Sequence, residues 1–502
     1  MAMLNLMDNV HPENNSLKTK VRQAVFAGQF YPADSLKLSK AIDYFLEDAL
    51  KENFEKPIAL IAPHAGYIYS GQIMADSYNQ VKNHNFDLII ILGTNHTLAN
   101  FNKIGFYPGN YFQTPLGVSE IDNVAAVELI KLDDDCVYNE AIHAQEHSIE
   151  VQLPFIQKLF PRTKILAAVV GSPDVNLCTK FGTSLANVLK NRNALIIASS
   201  DLSHYPSFED AESADKKTLS AITSLNVEIF EKVIDVNMSE NFSNLATCAC
   251  GEGPIITAMT ASRELGANNS AIVSYANSGN SLIGSRDKVV GYGSVIFSFS
   301  KEERKNKIIS EEKPANELFE LKNSDKKTLL TFARKTLQQY LETETVPLAR
   351  GLDPILESKL GAFVTLRIRG ELRGCIGYMH EDLPLCDVVG SMAIQSAFND
   401  TRFYPLTSEE LAETEIEISV LTPYKLIRSS DEIILGRDGV VVKKNNRQAV
   451  FLPQVAEEMN WNKEQLLENL CRKAGLRSDD WKNSQLFTFQ AEIFEESEFK
   501  KI

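Results

Sequence analysis

Over residues 57–204 the chain shows two alternating textures. Short continuous apolar runs, PIALIAPH at 57–64, DLIIILGTNH at 87–96, KILAAVVGS at 164–172 and NALIIASSDLSH at 193–204, are separated by longer stretches with helical spacing. Strands that are apolar at every residue, not every second one, are buried on both faces, as in parallel sheets covered by helices. The pattern predicts an α/β fold with a parallel-type sheet and helices on both sides. SIEVQLPFIQKLF at 148–160 reads as one of those helices, with Ser148 as its N-cap, and SAIVSYANS at 270–278 and KVVGYGSVIFSFS at 288–300 as two closing strands.

The texture changes after residue 300. The stretch 301–325 is dense in charge of both signs, poor in large apolar residues and contains Pro314, so it reads as a linker. Beyond it, KKTLLTFARKTLQQYLET at 326–343 predicts an amphipathic helix, followed by alternating stretches at 361–378, 413–424 and 438–453 and a helix at 462–475. The Asn445-Asn446 pair predicts a hairpin turn. Grouped helices and hairpins predict a smaller α+β second domain over 326–502, after a first domain over 20–300. No internal repeat is visible.

Composition narrows the function classes. Fifty-one basic against 66 acidic residues leave a formal charge of −15, a poor footprint for nucleic acid or anionic lipid. No apolar run approaches a membrane span, and no secretory signal opens the chain. Seven cysteines, an odd number scattered over the whole length, are no disulfide framework and fit a reducing cytoplasm.

The candidate chemistry lies at strand ends. His64 follows the first predicted strand, His96 the second, and Asp201 and His204 the fourth. Open parallel sheets bind ligands beyond the carboxyl ends of their strands, where such residues converge. Imidazole is the commonest transition-metal ligand, so His64 and His96 could share one ion. A third donor is available in the glycine-rich segment TCACGEGP at 247–254, where a helix N-terminus is expected to lower a cysteine's pKa. Two imidazoles and a thiolate suit iron, zinc or copper. The bland alternatives are hydrogen-bonded structural histidines, a packed cysteine and, for Glu146 and His147, helix capping. His11 and His84 sit in polar segments and are expected to be exposed.

By these residues the first domain resembles the MEMO family. PHAGYIYSG at 63–71, LGTNH at 92–96, EHSIEVQLPF at 146–155, SSDLSHY at 199–205 and CGEGPI at 250–255 match its motifs in order. MEMO proteins share a fold with class III extradiol dioxygenases, which hold non-haem iron with two histidines and a carboxylate. The resemblance implies His64, His96 and Cys250 as metal ligands, with Asp201 and His204 lining the same pocket; as catalytic candidates, His204 would be the acid–base group and Asp201 would orient an imidazole or bind a water. Glu146, His147 and Tyr67 are further pocket candidates. Cysteine in place of the carboxylate puts ring cleavage in question, and a non-catalytic metal-binding or redox-signalling scaffold for a peptide or protein is the rival reading.

The second domain resembles the AMMECR1 family through LRGCIGY at 372–378, SAFNDTRFYPLTSEEL at 396–411, EIEISVLTP at 415–423 and FLPQVAEEMNW at 451–461. Its candidates are Arg373, Cys375, Asp400 and Arg402, either as a cleft with a cysteine nucleophile or as an Asp–Arg pair ordering a loop. The two resemblances together imply a radical-SAM protein as a partner and an unknown small molecule or peptide as substrate. A nucleic-acid regulator acting through the second domain would need a basic face that the overall charge disfavours.

Overall fold

The computed structural model describes residues 19–51, 54–240, 242–300 and 321–499. The main sheet of the first domain has eight strands, β1 (Lys56–Ala62), β2 (Leu88–Thr94), β3 (Ile104–Phe106), β4 (Cys136–Tyr138), β5 (Lys164–Val170), β6 (Ala194–Ser199), β7 (Asn269–Asn277) and β8 (Gly291–Phe299), and a separate small sheet joins Val21–Arg22, Tyr111–Thr114 and Gly117–Glu120. Their spatial order is β7-β8-β1-β6-β2-β5-β3-β4. The four central strands, β1, β6, β2 and β5, are parallel, as their unbroken apolar sequence predicts.

The sheet is nevertheless mixed. β8 runs antiparallel to β1, and β7 antiparallel to β8. The reason is the connection at 278–290, which contains a single short 3-10 turn and no crossover helix, so the chain returns beside itself.

Alternate residues of the central strands feed two cores. Leu88, Ile90 and Leu92 pack with Phe181 and Met259, whereas Ile89 and Ile91 pack with Phe45, Tyr78 and Phe155. The helices responsible are α1 (Ser35–Glu47) and α2 (Tyr67–Asn79) on one face, and α3 (Val175–Leu189) and α4 (Glu252–Glu264) on the other. The expected helix at 148–160 is split into His147–Glu150 and Leu153–Leu159. Its N-cap is Glu146 in place of Ser148, because the Glu146 carboxylate accepts the Ser148 N–H.

Nearly all of the charged stretch 301–325 lies outside the described residues. Its last residues already belong to the second domain, because α5 spans Asn323–Thr343. The strands that follow are β9 (Ala362–Ile368), β10 (Glu371–Tyr378), β11 (Thr414–Leu421), β12 (Lys425–Ile427), β13 (Gly439–Lys444), β14 (Arg447–Phe451), β15 (Gln485–Phe489) and β16 (Ala491–Glu495). They form two antiparallel sheets, ordered β10-β9-β11-β16 and β12-β15-β13-β14. The β13–β14 turn is the expected hairpin, with Asn445 in the left-handed region at φ 55°. Among the described residues no helix is long and apolar enough to cross a membrane.

The domains dock through α1 and α5. Tyr44 donates to Glu342 at 2.9 Å, and Lys335 reaches Asp48 at 2.6 Å. Arg350 is the anchor: it donates to both oxygens of the fully buried Asp76, at 2.6 and 3.0 Å, and to the Asp48 carbonyl. Removing one partner of a buried pair leaves the other charge uncompensated. Arg350→Ala is therefore expected to destabilise the protein by about 3–5 kcal/mol, read as a lowered urea midpoint, with Asp76→Asn restoring part of the loss in the double variant.

Candidate metal centre

The three parallel strands β1, β6 and β2 are neighbours, so the residues just past their ends meet. His64 lies past β1, Ser199 ends β6 with Asp201 beyond it, and His96 lies past β2. The loop at 247–251 brings Cys250 to the same place before α4 begins. Gly251 permits the approach, since a Cβ there would stand 2.6 Å from the Ser199 carbonyl oxygen and the Ser200 Cβ.

His64 Nε2 lies 3.1 Å from Cys250 Sγ, and its Nδ1 is 3.1 Å from Ser199 Oγ. The Asp201 carboxylate accepts the backbone N–H groups of His64 and Ala65 at 2.7 and 3.2 Å, and its other oxygen lies 4.0 Å from His64 Nε2. His96 Nδ1 faces Glu146 Oε1 at 2.9 Å, and the His96 N–H donates to Oε2 at 2.9 Å. A carboxylate only accepts, so His96 carries a proton on Nδ1, which leaves Nε2 as the ring nitrogen a metal could take. His147 stacks on His96 with ring centroids 4.5 Å apart and stands edge-on to His64 at 5.2 Å.

The ligands implied by the resemblance are divided between two groups that share His64. The donor atoms of His64, His96 and His147 lie within 4.8 Å of one another, as do those of His64, Asp201 and Cys250. His204 stands at the edge, half-buried, with Nδ1 donating to the Leu202 carbonyl at 2.9 Å, which leaves its Nε2 lone pair free. Tyr67 is placed in the core layer behind, against Tyr31, Phe45 and Phe155, with its hydroxyl on the Val151 carbonyl at 2.8 Å. His84 is half-buried, not exposed, and His11 lies outside the described residues.

Burial sets the protonation. Desolvation, helped by His96, lowers His64 to about 3, and desolvation lowers His147 to about 3, so both imidazoles are neutral near pH 7, the form that binds metals. Burial is the largest single effect on Glu146 and opposes its ionisation, but the His96 ring, the Ser148 N–H and the His96 N–H together outweigh it and lower the carboxyl to about 2. The expectation of a low-pKa cysteine is not met. Burial, followed by the nearby Asp201, raises the Cys250 thiol well above its ordinary value despite the adjacent helix N-terminus. Burial likewise raises Asp201. The donor set fits a divalent transition metal, provided the ion displaces the thiol proton. A cavity of about 280 Å³ adjoins Cys250, lined in part by Thr94, Ser172, Thr247 and Glu252.

Several supporting residues escaped the sequence reading. Ser148, Glu150, Gln152 and Ser199 are all buried polar groups at the site. Glu150 accepts from the Val25 and Phe26 N–H groups and the Tyr31 hydroxyl, and pairs with the buried Arg22, which brings Phe26 and Phe30 against His147. The available signal was a glutamate and a glutamine inside an otherwise apolar run at 149–156.

In the second domain, Asp400 accepts the Cys375 N–H at 2.9 Å and is paired with Arg402, which also donates to the Cys375 carbonyl at 3.0 Å. Thr365 donates to Cys375 Sγ at 3.3 Å, and Cys375 lines a cavity of about 230 Å³. Arg373 is drawn away to Glu410. Cys375 lies within strand β10, not in a turn, and the arrangement ties the 400–402 turn to that strand.

Close to the site lies the buried His143, whose carbonyl accepts from Arg22 and whose Nε2 donates to the Gly105 carbonyl at 2.9 Å. Desolvation lowers His143 to about 4, beneath its unfolded value near 6.5. Its neutral form is therefore fully stabilising above pH 6.5, and that contribution is lost as pH falls toward 4. Between pH 7 and 5 wild type is expected to lose about 2 kcal/mol that His143→Gln does not lose, measured by urea unfolding at both pH values.

The Memo-like protein family model matches residues 22–296, and the AMMECR1 family model matches residues 330–494. A MEMO1 family protein of Aquifex aeolicus is 36% identical over 280 residues, covering 55% of this chain and 99% of that protein. One from Nitrosopumilus maritimus is 33% identical over 283 residues, with the same coverages. A solved structure of an uncharacterized protein from Pyrococcus horikoshii is 38% identical and covers 34% of this chain and 89% of that one. Its TM-score of 0.30 is too low to bear on the fold.

Proposed function

Because the chain belongs to the MEMO1 family and carries an AMMECR1 domain behind the Memo domain, we propose that it is a metal-dependent protein centred on His64, His96 and Cys250. Iron is the first metal of this proposal, with zinc and copper as alternatives, and non-haem dioxygenase-like oxidation is its reaction class. The observation that carries it is the gathering of the His64, His96 and His147 imidazoles, the Cys250 thiol and the Asp201 carboxyl into two donor groups that share the buried His64, past three parallel strands. When bound, the ion supplies a Lewis-acid centre at which substrate and oxygen can meet.

The chain's own residues supply the rest. Glu146 fixes the His96 ring and its tautomer. His204, with Nδ1 held on the Leu202 carbonyl, takes a substrate proton at Nε2. Asp201, its carboxyl pushed up by burial, fixes the backbone of His64 and Ala65 by accepting their N–H groups. Phe26 and Phe30, packed on His147, exclude water from that side. The AMMECR1 domain, a radical-SAM protein and a small molecule or peptide substrate complete the proposal in the reducing cytoplasm. A thiol where the dioxygenases carry a carboxylate favours a second reading, a metal-binding scaffold without turnover.

Anaerobic reconstitution with Fe(II) and elemental analysis test the centre. Wild type is expected to retain about one ion per chain, and His64→Ala, His96→Ala and Cys250→Ala to lose most of it. Equal metal in all four proteins, or none in any, overturns the proposal. Oxygen uptake with a catechol panel then separates enzyme from scaffold.

A further inference from the structure

We infer that Ser199 and Gln152 are positioning residues that hold His64 in one tautomer, with its proton on Nδ1 and its Nε2 lone pair reserved for the metal centre. The purpose of this arrangement rests on the metal reading above, whereas its geometry does not.

Ser199 has a single hydroxyl proton, which it donates to the Ser148 carbonyl at 2.7 Å. A carbonyl only accepts, so the direction is fixed. Gln152 Nε2 approaches the same Oγ at 2.9 Å and donates to the Pro63 carbonyl at 2.8 Å, while its Oε1 accepts from the Tyr78 hydroxyl at 2.9 Å. A flipped amide would set its oxygen against the Pro63 carbonyl, so the amide has one orientation. With its proton committed, Ser199 Oγ can only accept from His64 Nδ1 at 3.1 Å. His64, Ser199 and Gln152 are each 0–1% exposed, and reversing any bond would strand another buried group.

The relay complements the pair on the opposite side of the site. There Glu146 sets the His96 tautomer with a full charge, whereas here a neutral hydroxyl and amide set that of His64. Gln152 also ties down Pro63, the residue before His64, so it acts on the ring through both the hydroxyl and the backbone. The direct consequence falls on Cys250: a lone pair at His64 Nε2 accepts the thiol proton at 3.1 Å, and the same lone pair becomes a metal donor when that proton leaves.

The test uses the full-length protein, 15N-labelled and free of metal, with the His64 imidazole assigned by its disappearance in His64→Ala. Long-range proton–nitrogen correlation is expected to show wild-type His64 protonated on Nδ1. Ser199→Ala, which removes the acceptor, should shift the ring toward the Nε2-protonated form and weaken Zn(II) affinity in chelator competition by about 10- to 100-fold. Gln152→Leu should act in the same direction with a smaller effect. The inference is overturned by Nε2 protonation in wild type, by a wild-type tautomer in Ser199→Ala, or by a changed tautomer at unchanged affinity. Should Ser199→Ala fail to fold, a wild-type His64 spectrum in Gln152→Leu overturns it instead. If wild type takes up no metal at all, the metal reading fails alone, and the tautomer measurement still decides this one.

Discussion

A buried polar group must find a partner, and in this protein one seven-residue segment, 146–152, is where that requirement is met. Glu146 binds the His96 ring and backbone and caps its own helical turn. Ser148 accepts the Thr94 N–H at the end of β2 and receives the Ser199 hydroxyl from the end of β6. Glu150 gathers the segment from Arg22 to Tyr31. Gln152 reaches Pro63 past β1. The segment thus ties together the ends of three parallel strands, each bond closing a debt of about 1–3 kcal/mol that an unpaired group would carry. The glycine at 93 makes this possible, because a Cβ there would stand 2.6 Å from Ile149 and 2.7 Å from the Ser148 hydroxyl.

A second constraint joins the site to the other domain. The connection at 278–290 leaves β7, touches the second domain and then runs beside the loop that carries His204. Leu282 packs with Val346 and Ile394, and Arg286 lies 3.5 Å from Asp387 with its guanidinium 4.1 Å above the Phe208 ring. A few residues later Val289 exchanges backbone hydrogen bonds with Tyr205 and Pro206, and Gly291 with Leu202 and Ser203. A cleft of about 550 Å³ lies between the domains at this point. A continuous run of contacts and backbone hydrogen bonds thus joins Asp387 of the second domain to the His204 loop of the first. The two domains are packed against one another as well as joined by the chain.

The strands were legible because a doubly covered parallel strand has a composition few other elements share, and their ends located His64, His96, Asp201 and His204 directly. The antiparallel return of β8 was not, since it depends on what the 278–290 connection lacks. The helix at 148–160 was legible as apolar spacing, yet its break near Val151 and its glutamate cap were not, because both follow from the site's need for Glu146 and Gln152. Cys250 was recognisable as chemistry, but its thiol pKa was misjudged. The helix N-terminus is visible in sequence, whereas the desolvation that overrides it is a property of the folded interior. Ser199 was invisible as a positioning residue, because its meaning lies in hydrogen bonds to groups about 50 and 135 residues away.

The protonation pattern limits the charge buried at the site. Buried charge is costly, and here burial keeps the His64 and His147 imidazoles neutral, retains the Cys250 proton and pushes the Asp201 carboxyl up. Glu146 is the exception: it is ionised, but its charge is spread over the His96 ring, the His96 backbone and the Ser148 N–H. A divalent ion that displaced the thiol proton would meet one thiolate charge directly and the Glu146 charge through His96. Two positive charges would then face those two negative ones. An ion of higher charge, or one that left the thiol protonated, would leave an unbalanced charge in a low dielectric. The relay through Ser199 and the pairing with Glu146 thus do different work: the first orients a donor at no cost in charge, and the second prepays half of the charge the metal brings.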